Sequence, residues 1–418
     1  MNILVCGASG FIGHAICASL ERDGHRVLKG VRHATQEHDI AIDYSRDVEP
    51  GAWQARLQDV DVVVNAVGIL IEQGDQRFEA VHQRTPIALF DASVRAGVKL
   101  IVQVSALGAQ TGDTRYFASK RTADTHLQSL PVNYQILRPA MVYGPTGASA
   151  RMFRVLASLP VHLLPAGGHQ AMRPVHVDQF AEIVTRSVDA LNVESRVIDV
   201  VGGTQLSYRE MLAMYRNSMG LPAALQIGIP AVVIDASAAL LDRVPGSMLT
   251  RDTWKMLQAG STADVAPTTR ALGRVPTGVE TFIDPADAAA MRAEALSAWL
   301  PLVLRVALAV TWFWAAIATL FVTFRASGLA QFASMPGHGS TNPPLLYLAA
   351  AIDVIFGVAT LARPGRRLWL IQAFAVLAYS ILLAVVSPSL LLDPFGSILK
   401  NLPMLAVLAV LFSGETKA

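Results

Sequence analysis

The chain has 418 residues, a formal net charge of +2, 52% apolar residues and 16% charged ones. That length exceeds one ordinary core and suits two or three domains, while so small a net charge excludes nucleic-acid binding through bulk electrostatics. Its two cysteines, Cys6 and Cys17, form neither a metal-ligand spacing nor a disulfide framework, so no metal site is expected.

The start, MNILVCGASG, has no basic region and runs straight into an apolar strand, Asn2 to Cys6. It does not read as a secretory signal, and the first part of the chain is expected in the cytoplasm. Gly7, Gly10 and Gly13 follow, opening a helix over Ile12 to Glu21. Gly7 permits a tight turn, Gly10 lets backbone approach a pyrophosphate, and Gly13 lets helix and strand pack closely. The rest of GASGFIG, with Ser9, Phe11 and Ile12, belongs to the same expected cofactor cradle.

The second strand, His25 to Val31, ends in GVRH, with Arg32 where an acid would receive the ribose hydroxyls of NAD. An arginine there can pair with a 2′-phosphate, which favours NADP while leaving NAD possible. Its alternative is a solvent-facing side chain. Asp43, in IDYS, lies where a loop reaches an adenine. A third strand, Asp61 to Ala66, brings Asn65, Ala66, Val67 and Gly68 beside the cofactor. A helix from about Phe78 to Ala96 stops at Gly97, and Lys99 to Val104 is a strand ending at Ser105.

Tyr116 and Lys120 are four apart at the start of a helix whose main body is expected over Ser119 to Gln128, so both face one side. The lysine charge would depress the tyrosine pKa, and Ser105 would hold a carbonyl oxygen. Tyr116 would then exchange a proton while hydride passes to or from a nicotinamide. Cofactor binding without turnover is the alternative. Asn133 to Arg138 is a further strand ending at Pro139, and Tyr143 is expected in the pocket wall. Strand and helix patterns alternate, as in a Rossmann-type doubly wound parallel sheet of α/β class. Residues 145–290 are less regular and would form a smaller C-terminal lobe on the substrate side. Asp284 is expected to cap a helix running to Ala298, with Pro285 in its first turn.

Beyond residue 294 the composition changes. Apolar runs cover Trp299 to Phe324, Pro344 to Ala362, Leu368 to Leu392 and Ile398 to Phe412. A span needs about 20 apolar residues, so the expectation is an all-α, four-helix transmembrane domain over 295–413 behind a nucleotide domain over 1–290. The loop ARPGRR, with Arg363, Arg366 and Arg367, should be cytoplasmic. A multi-pass inner-membrane protein with its nucleotide domain in the cytoplasm follows. Arg305 and Asp353 would pair, snorkel, or mark a polar site for a membrane ligand.

The motifs GASGFIG, NAVG, VSALGA, YFASK, RPAMVYGP and RPVHVDQFA, with GGTQLSYREML, resemble the extended and atypical short-chain dehydrogenase/reductase superfamily. The nearest flavour is the branch with the 39 kDa accessory subunit of NADH:ubiquinone oxidoreductase. The C-terminal part, with Arg305, Asp353 and KNLP, is similar to the DoxX-like membrane family. The resemblance implies that Ser105, Tyr116 and Lys120 are catalytic, that Lys120 and Pro139 also border the cofactor, and that His176 and Asp178 are structural. Ten residues separate Ser105 from Tyr116, a short loop for this superfamily. The expected activity is a membrane-anchored, NAD(P)-dependent, epimerase-like oxidoreductase. Its expected partners are a lipophilic or quinone-related substrate, membrane lipid and a membrane protein complex, without nucleic acid. The alternative is a non-catalytic NADP(H)-binding scaffold, assembly factor or redox sensor.

Overall fold

A computed structural model describes residues 1–190, 194–244, 247–328, 343–386, 388 and 398–415. It divides into two compact units, Met1–Ala295 and Leu296–Ala418.

The first unit is organised by short, apolar, β-branched strands. β1 (Asn2–Cys6), β2 (Arg26–Val31), β3 (Asp39–Ala41), β4 (Val62–Asn65), β5 (Leu100–Val104) and β6 (Asn133–Pro139) join the Arg196–Val200 strand in one seven-stranded sheet. Its order runs from Arg196–Val200 through β6, β5, β4, β1 and β2 to β3, and every pairing is parallel. Parallel sheets need cover on both faces, and the strand sequences supply it by alternation. Ile3, Val5, Val62 and Val64 pack on one side with Ile16, Leu20 and Phe180. Leu4, Cys6 and Val63 pack on the other with Trp53, Leu89 and Phe90. Chain order reverses between β1 and β4, which opens a crevice at their carboxyl ends.

The helices deepen that crevice. α1 (Phe11–Arg22) leaves β1 through the glycine turn. The expected Phe78–Ala96 helix is two pieces, a π-helical stretch at Glu79–Arg84 and then α2 (Thr85–Ala96), closed by Gly97 at φ 75°. α3 (Arg115–Gln128) begins a turn before its expected body, because Thr114 caps it by accepting a hydrogen bond from Phe117 N–H at 3.2 Å. The smaller lobe has its own core around Tyr143, Phe153, Tyr208, Met211, Tyr215 and Phe282. Asp284 does not cap the following helix. Its side chain accepts from Ala286 N–H inside a turn, and the helix starts at Ala288. His176 continues a strand, Val175–His176, paired with Val142–Tyr143. This joins the motif around Asp178 to the segment that follows β6.

The second unit contains helices at Leu300–Gly328, Pro343–Ala362, Arg366–Val386 and Asn401–Gly414. Leu308, Trp312, Trp369, Val376, Leu408 and Leu411 form its core. Trp312 Nε1 donates to Gln372 Oε1 at 3.0 Å, and Gln372 Nε2 donates to Thr360 Oγ1 at 2.9 Å, so three helices share one buried polar chain. The expectation of a four-helix transmembrane domain is corrected here. Among the described residues one stretch, Ala288–Phe321, is long and apolar enough to cross a membrane, while Tyr347–Ala362 and Asn401–Gly414 are shorter apolar helices. The third run was expected to reach Leu392, and residues 387 and 389–392 lie outside the described residues. Arg305 Nε donates to Pro301 O in its own helix at 3.3 Å, and among the described residues no Arg305–Asp353 ion pair forms.

Candidate active site

The turn after β1 is built from backbone. Gly7 holds a left-handed φ of 85°. Its N–H and that of Ala8 donate to Gly30 O, and Gly10 N–H donates to Gly7 O at 2.9 Å. Gly10 caps α1 without a side chain, so the positive helix end faces the crevice. A Cβ on Gly13 would overlap the Gly7 carbonyl oxygen, and one on Gly7 would sit 3.1 Å from Val67 Cγ2 and 3.3 Å from the Ala66 carbonyl. A glycine floor under a helix N-terminus fits a dinucleotide pyrophosphate.

A cavity of about 440 Å³ continues from this turn. Phe11, Ile12, Ala66, Val67, Gly68, Ser105, Tyr116, Lys120 and Pro139 all line it. The opposite wall was not foreseen from the sequence and includes Met141, Met152, Phe153, Met172, Met248 and Met256. These come from scattered segments that only the lobe brings together. Ser9 is exposed at the turn.

Three further expected cofactor residues do not line this cavity. Asn65 is buried, and its side chain is committed to protein partners. It donates to Gln103 Oε1 at 2.7 Å and accepts from Tyr44 OH at 2.8 Å. Arg32 is exposed at the end of β2, where its Nη2 donates to Gln76 Oε1 at 2.9 Å. Asp43 accepts from the Ser45 hydroxyl and N–H at 2.6 and 2.9 Å. Partial burial pushes its carboxyl upward, but the Ser45 hydrogen bonds and the Arg46 and Arg32 charges outweigh that and hold it below its ordinary value.

The polar centre is anchored from α3. Lys120 is buried, and its Nζ donates to Val104 O at 3.2 Å and Val67 O at 3.3 Å. A Cβ on Gly68 would lie 3.0 Å from that amine, so glycine makes room for it. Burial lowers Lys120 to about 8, against the opposing charge of Asp124. Tyr116 sits edge-on to Phe78, His82 and Phe117. Burial first, and the Asp124 charge second, raise its phenol to about 12. That is opposite to the depression expected from spacing alone, since the folded phenol is desolvated and the helix also carries a carboxylate one turn beyond the lysine.

Two residues the sequence reading missed organise these groups. His82 is buried in the π-helical stretch, and burial plus the Lys120 charge hold it down to about 2, hence neutral. Its Nε2 accepts from Ile69 N–H at 3.0 Å and its Nδ1 lies 2.9 Å from Ser119 Oγ. Ser119 Oγ in turn donates to Tyr116 O at 2.7 Å. Every donor in that chain is then assigned, with Nδ1 carrying the imidazole proton. Asp124 is the second, accepting from Ser105 Oγ at 2.5 Å. The Lys120–Asp124 spacing of four was a readable signal. His82 had none, because only the fold brings it to α3.

A sequence-family profile described as NAD(P)H-binding matches residues 7–155, and one described as a DoxX-like family matches 309–409. An epimerase family protein from Mycobacterium tuberculosis is 24% identical over 260 residues, covering 56% of this chain and 84% of the relative. The UDP-glucuronic acid 4-epimerase of Bacillus cereus in complex with NAD superposes with a TM-score of 0.53 at 17% identity, over 70% of this chain and 100% of that one. A human epimerase family protein with NADPH gives 0.51 at 22% identity, over 71% and 99%. The Bacillus enzyme has also been solved with UDP-glucuronic acid, a charged nucleotide sugar and not a lipophilic or quinone-type molecule. The expected partner set, built on a lipophilic or quinone-related substrate, is corrected on that finding. It had been inferred from the apolar C-terminal runs and not from any residue of the pocket. Residues 7–155 thus match an NAD(P)H-binding profile on a Rossmann-type sheet whose fold is shared with these epimerases, and residues 309–409 match a DoxX-like profile.

Proposed function

We propose that this chain is an NAD(P)-dependent oxidoreductase or epimerase that works at a carbinol or carbonyl carbon, with Tyr116 as its acid–base group. One observation carries the reading: Ser105, Tyr116 and Lys120 line the same cavity as the helix that opens from the glycine turn. Gly7, Gly10 and Gly13 would seat the pyrophosphate, and Ala66 to Gly68 with Pro139 would flank the nicotinamide half. When bound, the dinucleotide supplies the hydride acceptor or donor. Tyr116 gives a proton to a carbonyl oxygen or takes one from a hydroxyl. Lys120, held by the Val67 and Val104 carbonyls, keeps a positive charge below about pH 8 and steadies the phenolate. Nucleotide sugars are the first substrate class to examine, because solved relatives of this fold are named for them. Arg32 favours NADP over NAD. The finer branch, beside the 39 kDa accessory subunit, rests on the quoted motifs. Attachment to a membrane through the DoxX-like unit is supported by the apolar Ala288–Phe321 stretch and by outward Trp314, Ile317 and Phe374.

The test is full-length protein in detergent, supplied with oxidised or reduced dinucleotide and a panel of UDP-glucose, UDP-glucuronic acid and UDP-N-acetylglucosamine. Turnover is followed at 340 nm, a wavelength that reads the reduced nicotinamide (roughly 10²-fold effects are expected for a lost acid–base group), and by sugar chromatography for redox-neutral epimerisation. Tyr116→Phe should lower turnover roughly 10²-fold or more and leave dinucleotide affinity near native. Equal activity in Tyr116→Phe ends the mechanism. Tighter binding of NADH than NADPH ends the reading of Arg32.

A further inference from the structure

Asp124 is 1% exposed and lies on α3 one turn beyond Lys120. A carboxylate that deep is costly unless its neighbours satisfy it. Each neighbour is part of, or adjoins, the candidate site. Ser105 Oγ donates to its Oδ2 at 2.5 Å, and Arg138 Nε on β6 lies 3.7 Å from the same oxygen. Lys120 and Arg138 add positive charge. Its other oxygen, Oδ1, is buried without a hydrogen-bond partner. Arg138 itself turns Nη1 to Gln110 Oε1 at 2.9 Å and faces Asp199 of the next strand.

We propose that Asp124 is a positioning residue of this site: its carboxylate takes the hydroxyl hydrogen of Ser105, so that Ser105 turns an oxygen lone pair to the cavity, and it is the counter-charge for Lys120 and Arg138. The inference rests on the acid–base reading of Ser105, Tyr116 and Lys120. A serine hydroxyl has one hydrogen and two lone pairs. With its hydrogen spent on Asp124, Ser105 accepts from a reacting hydroxyl and does not donate to a carbonyl. Polarising a carbonyl oxygen is then left to Tyr116. The same negative charge, one hydrogen bond behind Ser105 of the cavity wall, favours the cationic oxidised ring of a nicotinamide over the neutral reduced one. It also opposes the burial that lowers Lys120, and it adds to the burial that raises Tyr116.

The experiment compares the full-length wild-type chain with Asp124→Asn and Asp124→Glu. The probes are the oxidised and reduced forms of whichever dinucleotide binds tighter, titrated separately by calorimetry. Asp124→Asn should weaken the oxidised form about fivefold or more beyond any change in the reduced form, as loss of a nearby buried charge requires. Asp124→Glu, which keeps the charge, should restore most of the native ratio. With a turnover substrate, Ser105→Ala and Asp124→Asn should be less than additive, the double variant losing less than the product of the two single losses. The tyrosine-dependent limb of the pH profile should move down by about one unit in Asp124→Asn. A folded Asp124→Asn chain with the native ratio of affinities overturns the inference, as does additivity in the cycle. If Asp124→Asn does not fold, a native ratio in Asp124→Ser overturns it equally. Should Tyr116→Phe keep full activity while the affinity ratio still shifts, the acid–base reading fails and the electrostatic role of Asp124 stands. The reverse pattern removes only Asp124.

Discussion

Gly13→Ala tests the dinucleotide cradle most directly. A Cβ at this position would overlap the Gly7 carbonyl oxygen and lie 2.7 Å from its carbon and 3.2 Å from Ala8 Cα. Carbon atoms sit comfortably at about 3.5–4.0 Å, and every neighbour here is backbone, so no side chain can swing aside. Relief must come from moving α1 off the turn, or from opening the turn itself. Overpacking of this kind costs about 1–3 kcal/mol. If that cost falls on the geometry that meets the pyrophosphate, affinity drops roughly 5- to 150-fold. Gly51→Ala is the control, since a Cβ there meets nothing within 4 Å and the residue has no positive φ. The assay is calorimetric titration of NADPH into full-length protein, with circular dichroism to confirm folding. A folded Gly13→Ala chain that binds NADPH within twofold of wild type refutes the assignment of this turn to the pyrophosphate.

His82 makes a pH-dependent prediction. Its folded-state pKa is depressed by burial and by Lys120 to about 2, so its contribution is complete above the ordinary value near 6.5 and is lost as pH falls toward 2. Between pH 6 and 4 the stability of wild type should decline more steeply than that of His82→Gln, by about 1.4 kcal/mol per pH unit. Thermal melts across that range measure it, and parallel slopes would remove His82 from the explanation. In the second unit, Gln372→Leu strands Trp312 Nε1 and removes the donor to Thr360. It should cost about 1–3 kcal/mol, seen as a lowered melting temperature in detergent. An unchanged melting temperature would mean that the polar chain joining these helices adds nothing to stability.

Much of the first unit was legible because its signals are local. Strands β1, β4 and β5 are short apolar runs bounded by turn residues, and the observed bounds differ from the expected ones by a residue or so. Gly7, Gly10 and Gly13 are a backbone requirement, and a backbone requirement is visible in a linear sequence. Tyr116 and Lys120 share a helix face by spacing alone. The reading weakened wherever the physics was long-range. Asn65 looked free to meet a cofactor, but the parallel register sets it opposite Gln103 and within reach of Tyr44. The Phe78–Ala96 helix gave no warning of its π-helical stretch. The methionine wall of the cavity is drawn from residues 141 to 256 and has no periodicity to detect.

The C-terminal unit divides the same way. Hydropathy located four apolar helices, because apolar composition survives any arrangement, but it overcounted the spans that are long enough to cross a bilayer. Within the nucleotide domain, the sequence by itself determined the fold class and the glycine cradle, both of which follow from periodicity and from the steric freedom of glycine. The electrostatic state of the site was decided by tertiary structure. Burial lowers Lys120 and raises Tyr116, and Asp124 claims the Ser105 hydrogen. Desolvation and the meeting of charges from α3, β5 and β6 exist only once those elements are packed together.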